Sequence, residues 1–351
     1  MTKPRKKTRR IYVGRVPIGD GAPVAVQSMT HSDTRDVEGT VGQIKRLEKA
    51  GCEIVRAAVV DMEAAKALGE IKKRISIPLV ADIHFDFRLA LAAAEAGADC
   101  LRINPGNIGG EKKTRAVVEM AKARGISIRV GVNAGSLEKD ILKRHGSATP
   151  EALAQSALRS IDMIRSMDFH DMKISIKASD VWRTVEACRF LSEKTSLPLH
   201  IGITEAGGLY PGIVKSSIGI GALLAEGIGD TIRVSLSRDP VEEVRVGFEI
   251  LRALHIRQRG PEIISCPTCG RCGIDLFGLV EEVERALLTE TRNIKVAIMG
   301  CVVNGPGEAR EADVGIAGGK GQGILFKKGK AVRKVPQDQL AQALLKEMDT
   351  F

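Results

Sequence analysis

Four cysteines stand close together toward the C-terminus: Cys266, Cys269 and Cys272 in the string CPTCGRC, and Cys301 in GCVVNGPGE. Thiolates are ligands for both iron–sulfur clusters and structural zinc. Structural zinc usually takes two paired C-x2-C knuckles, whereas here one cysteine-rich turn faces a single distant cysteine. The spacing therefore favours a cluster over zinc and leaves zinc as the open alternative. The C-x3-C-x2-C spacing of a radical cluster does not occur. Cys52, Cys100 and Cys188 lie in other elements and read as packing residues.

A second group of residues able to do chemistry is cationic. Five β-branched runs carry a charge where a buried strand should be apolar: Arg56, Arg102, Arg129, Lys177 and Arg233. Strand side chains alternate faces, so Arg102 shares a face with Asn104, Arg129 with Asn133, Lys173 with Lys177, and Arg233 with Ser235. Each cation could pair with a neighbouring acid. Five on separate strands, against few acids (Asp82, Glu205), instead imply convergence on an anion. Arginine's planar fork suits phosphate, and a diphosphate or bisphosphate fits better than one carboxylate. Further polar residues end the same runs: Gln27, Ser28, Asp82, His84, Asn104, Asn133, His200 and Ser235. His84 and His200 are weak signals taken singly. Glu205, expected among the cations, could serve as acid or base beside a bound substrate.

The elements that must hold these residues alternate. Apolar runs at 23–29, 53–59, 78–84, 100–106, 127–135, 171–179, 198–207 and 231–237 are separated by segments rich in Ala, Leu, Glu, Lys and Arg. Eight such repeats over this length predict an α/β chain folded as a (β/α)8 TIM barrel, whose C-terminal mouth carries the site. A doubly wound open sheet is the competitor. Its dinucleotide fingerprint is missing at Gly219-Ile220-Gly221, and no phosphate-binding P-loop occurs. Beyond about residue 258 a helix, short strands and a final helix predict a small α+β iron–sulfur domain, with Gly318–Gly323 as a hairpin turn. The expected domains are a basic flexible arm (1–10), the barrel (11–258) and the cluster domain (259–351).

The chain has 351 residues, 44% hydrophobic but only 3% aromatic, so its core must be aliphatic. Of the formal charge of +10, six positive charges lie in KPRKKTRR at the N-terminus. Nucleic acid is disfavoured as a partner because stacking residues are scarce. No apolar run is long enough to span a membrane, and Ile11-Tyr12-Val13-Gly14 follows the basic start where a signal peptide needs an apolar stretch. The expectation is a cytoplasmic protein without membrane contact.

Long strings in this sequence resemble the bacterial 4-hydroxy-3-methylbut-2-enyl diphosphate synthase family of the methylerythritol phosphate route to isoprenoids. They are PVAVQSMT (23–30), ADIHFD (81–86), LRINPGN (101–107), VGVNAGSLEKD (130–140), KASD (177–180), GITEAGG (202–208), CPTC (266–269) and GCVVNGPGE (300–308). The resemblance implies a [4Fe–4S] cluster on Cys266, Cys269, Cys301 and Glu308. It implies two-electron reductive ring opening of 2-C-methyl-D-erythritol 2,4-cyclodiphosphate. The matching substrate positions are Arg56, Arg102, Asn104, Arg129, Asn133, Lys177, Arg233 and Ser235, to which Asp82 and His84 are added. Glu205 matches a carboxyl near the reacting carbons and, with Glu308, is a candidate catalytic residue. The resemblance further implies a homodimer, with the cluster domain of one chain closing on the other's barrel, and electrons from an acidic flavodoxin or ferredoxin.

One residue departs from that pattern. CPTCGRC read alone matches the start of a bacterial ferredoxin site, which would make Cys272 a ligand and free Glu308. The family reading prefers Glu308, because a hard carboxylate holds iron more weakly and can yield to a substrate oxygen. The competing functions are a zinc-containing barrel lyase or aldolase using Lys177 as a Schiff base, and an RNA-binding regulator using the basic arm.

Overall fold

Eight parallel strands close into a barrel in the first of two units, which part between Arg257 and Gln258. The computed structural model describes residues 3–301 and 311–351; Glu308, expected as a cluster ligand, lies outside them. Strands β1 (Ile11–Val13) and β2 (Val16–Ile18) form a hairpin ahead of the barrel. The barrel strands are β3 (Ala25–Met29), β4 (Ile54–Ala58), β5 (Leu79–Asp82), β6 (Cys100–Ile103), β7 (Ser127–Asn133), β8 (Met172–Lys177), β9 (His200–Ile201) and β10 (Thr231–Ile232). β10 pairs with β3, and the bridge Ile174↔Leu199 joins β8 to β9, so the ring is complete.

Helices α1 (Val37–Ala50), α2 (Met62–Arg74), α3 (Phe87–Glu95), α4 (Glu111–Arg124), α5 (Lys139–His145), α6 (Pro150–Arg165), α7 (Val181–Lys194), α8 (Leu209–Ala225) and α9 (Pro240–Ala253) accompany the strands. Local chemistry starts most of them. Asp36, Asp61, Asp86, Asp180 and Asp239 each accept a first-turn backbone N–H, and Thr149 does the same ahead of Pro150. These caps satisfy donors that a helix start leaves open. The shell between strands and helices is Val, Ile, Leu and Ala, with Phe169 and Phe248 as its buried aromatics.

The barrel interior is divided by polarity. The hairpin's Ile11, Val13 and Ile18 pack on Ala25, Ile54, Val80 and Cys100, making a dry floor at the N-terminal end. Above it the inward positions turn polar. β9 and β10 are shorter than the runs 198–207 and 231–237 imply. Beyond Ile201, Glu205 (φ 51°) and Gly207 (φ 103°) turn the chain out of the ladder into a loop.

The basic N-terminal segment differs from the flexible arm expected of it. Lys3, Lys6 and Arg9 donate backbone N–H groups to Ala225, Gly227 and Ser196. Arg5 pairs with the buried Asp230 at 3.1 Å, and the Thr8 hydroxyl donates to the same carboxylate at 3.0 Å. Burial pushes the Asp230 carboxyl up, against the pull of Leu199 N–H, Thr8 and Arg5. A buried carboxylate needs such partners, and that need ties the segment down.

In the second unit a five-stranded sheet runs in the order β11 (Glu262–Ser265), β12 (Lys295–Met299), β13 (Val314–Gly319), β14 (Gln322–Lys327), β15 (Lys330–Pro336). The first three are parallel and the rest form antiparallel hairpins. Helices α10 (Leu276–Leu287) and α11 (Leu340–Met348) cover one face, where Leu279, Val283, Leu340 and Leu344 meet Val296, Ile298, Ile316 and Leu325. The glycine-rich string forms the expected hairpin, with Gly319 opposite Gln322 and Gly321 at φ 67°. β11 escapes the sequence pattern because it is a short edge strand and only half-buried.

Because Arg5 compensates a buried charge, Arg5→Met should cost about 2 kcal/mol in urea unfolding. An unchanged midpoint and slope would show that the segment is only resting on the surface.

Candidate active site

Strand register assembles the cations. Lys173, Arg129, Arg102 and Asp82 are successive partners across β8, β7, β6 and β5, and two same-face positions higher, beyond Gly131 and Ser175, Asn133 faces Lys177. All six are buried or nearly so: Arg129 is 1% exposed, Lys173 0% and Lys177 7%. Glycines make the space. A Cβ on Gly131 would stand 2.6 Å from Arg102 Nε, and one on Gly202 would stand 3.0 Å from Lys177 Nζ.

Two carboxylates answer the charge. Asp82 accepts from Arg102 Nη1 at 3.1 Å, pairs with Arg56 Nε at 3.6 Å and meets His84 Nε2 at 3.5 Å. Arg102 also donates to His84 Nε2 at 3.2 Å, and through Nη2 to the Asn133 side-chain oxygen at 3.2 Å. Arg56 donates to Met29 Sδ at 3.1 and 2.8 Å. Glu243, on the first turn of α9, accepts from Arg233 at 3.1 Å, from the Ser28 hydroxyl at 2.9 Å and from Leu236 N at 3.1 Å.

Glu243 is not among the acids that the strand pattern picks out, because it lies on a helix. Its signal was present: Pro240, Glu243, Val244, Gly247 and Leu251 share one buried helix face, and the acid occupies an apolar position. The pairing alternative thus holds for Arg56, Arg102 and Arg233. It fails for Arg129 and Lys173: Arg129 Nε and Nη1 and Lys173 Nζ find no partner among the described residues. Arg102 Nε, His200 Nε2 and both amide atoms of Gln27 are buried and unpartnered in the same way.

The electrostatics follow. Burial pushes Arg56 down to about 10, against the pull of Asp82. Burial, and then the neighbouring Arg56 and Arg102, push Arg129 well down. Burial, then Arg129 and Arg233, do the same to Lys177. Burial would raise Asp82, but Arg56, His84 and Arg102 overcome it and hold the carboxyl well below the usual range. His200 is pushed well down by burial and by Lys177 and so stays neutral, its Nδ1 2.7 Å from the Thr231 hydroxyl. A net excess of buried positive charge, with donors left open, is an interior built for an anion.

Three expected residues sit at the rim. Asn104 is buried and accepts from Gly106 N at 3.1 Å. Ser235 is half-buried. Glu205, expected among the cations, is exposed and forms no ion pair with a described residue, and its backbone is left-handed (φ 51°). The loop that carries it leaves the ladder after Ile201, so its side chain is not enclosed by strands. A non-glycine residue in that region stores strain, which is common where function dictates backbone shape.

In the second unit Cys266, Cys269 and Cys301 line one cavity of about 220 Å³ together with Pro267, Thr268, Arg271 and Met299. Gly300 N–H donates to Cys266 Sγ at 3.3 Å. Cys272 is not in that lining. Its thiol donates to Ile274 O at 3.3 Å and lies where a Cβ on Gly300 would be 2.6 Å away. The three thiols face one shared space. Such a donor set fits a group with several metal atoms. Cys52 and Cys188, by contrast, are buried packing residues whose thiols burial pushes up to about 12.

Comparison with known proteins gives two family matches. Residues 8–248 match the GcpE TIM-barrel domain, and residues 262–350 match the GcpE protein C-terminal domain. The chain is 61% identical over 344 residues to the 4-hydroxy-3-methylbut-2-en-1-yl diphosphate synthase (flavodoxin) of Thermodesulfovibrio yellowstonii, covering 98% of this chain and 99% of that one. It is 57% identical over 345 residues to the protein of the same name from Geobacter sulfurreducens, covering 98% of each. Among solved structures, the dihydropteroate synthase of Yersinia pestis aligns with 70% of this chain and 97% of its own at 12% identity and a TM-score of 0.49.

Glu243 accepts four hydrogen bonds in a buried setting, two of them from Arg233 (Nη2 at 3.1 Å and Nε at 3.3 Å), so Glu243→Gln should cost about 2–3 kcal/mol in denaturant unfolding, because Arg233 loses its counter-charge. A loss below about 0.5 kcal/mol, the range of surface pairs, would mean that solvent already screens the pair.

Proposed function

The chain belongs to the GcpE family, and from that premise we infer that it is the reductase that opens 2-C-methyl-D-erythritol 2,4-cyclodiphosphate to 4-hydroxy-3-methylbut-2-enyl diphosphate. One ring C–O bond breaks, two electrons enter, and a hydroxyl leaves as water. The observation that carries the reading is the barrel interior, where six cations, Arg56, Arg102, Arg129, Lys173, Lys177 and Arg233, face two carboxylates among the described residues, Asp82 and Glu243, which ion-pair with only Arg56, Arg102 and Arg233. A small molecule bearing two phosphates supplies the missing negative charge.

The residues then divide the work. Arg129 and Lys177 bring charge that no protein acid neutralises, and they bind the diphosphate. Arg56, Arg102 and Arg233 are held in place by Asp82 and Glu243 and present their remaining donors to its oxygens. Asn104, Asn133, His84 and Ser235 at the rim orient the rest of the molecule. Binding energy gathered on the phosphates positions the breaking bond, which contributes to rate only when the reacting end is held as rigidly as the anionic end. Glu205, in its strained rim loop, holds the proton for the departing hydroxyl; exposure lets that carboxyl recharge from water.

Cys266, Cys269, Cys301 and Glu308 would hold a [4Fe–4S] cluster, which when bound supplies the electrons and a Lewis-acidic iron. The shared cavity and the amide donated to Cys266 support that ligand set; Glu308 rests on the family resemblance. Cys272 is better explained as a packing thiol. The electron donor is an acidic flavodoxin or ferredoxin, which the net charge of +10 suits. The proposal includes a cytoplasmic homodimer. No helix among the described residues is long and apolar enough to cross a membrane. The zinc-dependent lyase reading is not favoured by the family.

Anaerobic protein should contain iron and sulfide and show a cluster spectrum that changes when the cyclic diphosphate is added. Cys266→Ser, Cys269→Ser and Cys301→Ser should each lose the cluster, while Cys272→Ser keeps it. Arg129→Met should lower kcat/KM by about 100-fold or more, since a buried charge-assisted contact is lost. Zinc in place of iron, or a cluster destroyed by Cys272→Ser but not by Cys301→Ser, would overturn the assignment.

A further inference from the structure

Lys173 has no place in the cradle just described. It lies two same-face positions deeper than Lys177 on β8, with Ser175 between, it is 0% exposed, and its Nζ has no partner among the described residues. Its direct neighbour across the strands is Arg129, also unpartnered at Nε and Nη1. The groups that could influence it are few. Arg129 and Ser127 come from β7, Cys100 from β6, His200 from β9, and Lys177 from its own strand. Asp230 precedes β10, but its carboxylate already takes Arg5, the Thr8 hydroxyl and Leu199 N–H. The hairpin below presents Ile11, Val13 and Ile18, all apolar.

For stability alone this lysine is a liability. A buried ammonium without a carboxylate costs free energy, and methionine would fill the same space without that cost. A second like charge beside Arg129 makes matters worse. The arrangement gains its compensation only when negative charge arrives in the chamber above. We propose that Lys173 is a positioning residue for the diphosphate: a buried cation that acts through the interior field and through Arg129, strengthening the hold on a doubly phosphorylated anion it does not touch. The inference rests on reading the barrel as a diphosphate site.

The charge of this group responds to pH in an accessible range. Burial pushes the Lys173 ammonium down to about 8; the nearby Cys100 counters that effect, Arg129 adds to it, and the Asp230 carboxylate counters it weakly. An unfolded chain keeps the same proton to about 10.4. Between those values the unfolded state binds more protons, so this lysine's penalty is full below about pH 8 and is relieved as pH rises toward 10.4. Anion binding runs the other way: the ammonium assists below about 8 and its help is lost above. Loss of a proton by the anion itself would strengthen binding at high pH and so cannot mimic this trend.

The test uses the full chain and inorganic pyrophosphate, titrated by calorimetry at pH 7 and pH 9.5 with Lys173→Met and Lys173→Arg alongside. At pH 7, Lys173→Met should bind pyrophosphate about tenfold more weakly, the scale of one charge acting across a low-dielectric interior. The same variant should raise the Tm of the ligand-free protein. Wild-type affinity should fall between the two pH values, the fall in Lys173→Met should be about tenfold smaller because only Lys177 and the remaining cations then titrate, and Lys173→Arg should restore binding at both. Equal affinity of wild type and Lys173→Met at pH 7, or an unchanged pH trend in Lys173→Met, would overturn the role of Lys173 and leave the diphosphate site standing. Failure of the wild type to bind pyrophosphate would overturn both. Neither readout needs the cluster or turnover, so a failure of the redox chemistry would not alter them.

Discussion

Buried positive charge without enough buried negative charge is the constraint on which the barrel depends. Proteins ordinarily pair a buried ion or neutralise it. Here Asp82 and Glu243 pair with Arg56, Arg102 and Arg233, while Arg129, Lys173 and Lys177 form no such ion pair among the described residues, and burial depresses the proton affinity of Arg56, Arg129, Lys173 and Lys177. The folded state therefore carries electrostatic strain that a polyanionic ligand relieves. That strain is tolerable because the aliphatic shell around the barrel is large and closely packed.

The two ends of the barrel serve opposite needs. The hairpin seals the floor with apolar side chains, so water cannot reach the cations from below and screen them. At the mouth, short strands give way to loops that carry Asn104, Glu205 and Ser235. Gly131 and Gly202 belong to the same design, since each clears the volume that a cationic head group occupies. A fixed cationic interior needs no reorganisation when charge arrives, which is how preorganised sites gain selectivity for anions.

The second unit solves a different problem, that of presenting thiols without collapsing on them. Cys266 follows an edge strand and Cys301 follows β12, its parallel neighbour, so sheet register brings their segments together. The amide of Gly300 turns toward Cys266, and hydrogen bonds to sulfur are one means by which a protein sets a cluster's potential. Cys272 is drawn instead into the packing between Gly300 and the α10 side of the sheet. The three cysteines of one short string therefore divide: Cys266 and Cys269 line the cavity and Cys272 packs away from it.

The sequence by itself determined what is local. Alternating runs set the barrel, aspartates set the helix starts, and Gly-rich strings set the hairpin, because each follows from neighbours a few residues apart. Period-two alternation also told which cations share a face, and hence pointed to an anion site. Tertiary structure alone decided who meets whom. It gave Arg233 a carboxylate from a helix, tied the basic segment to Asp230, left Lys173 without a partner among the described residues, and left Glu205 exposed where the sequence had expected it among the cations. It also separated Cys272 from the other three cysteines, which spacing could not do. The physical reason is one of reach. Periodicity fixes the direction of a side chain, but Coulomb and hydrogen-bond energies depend on distances through space, and those exist only once the ring of strands has closed.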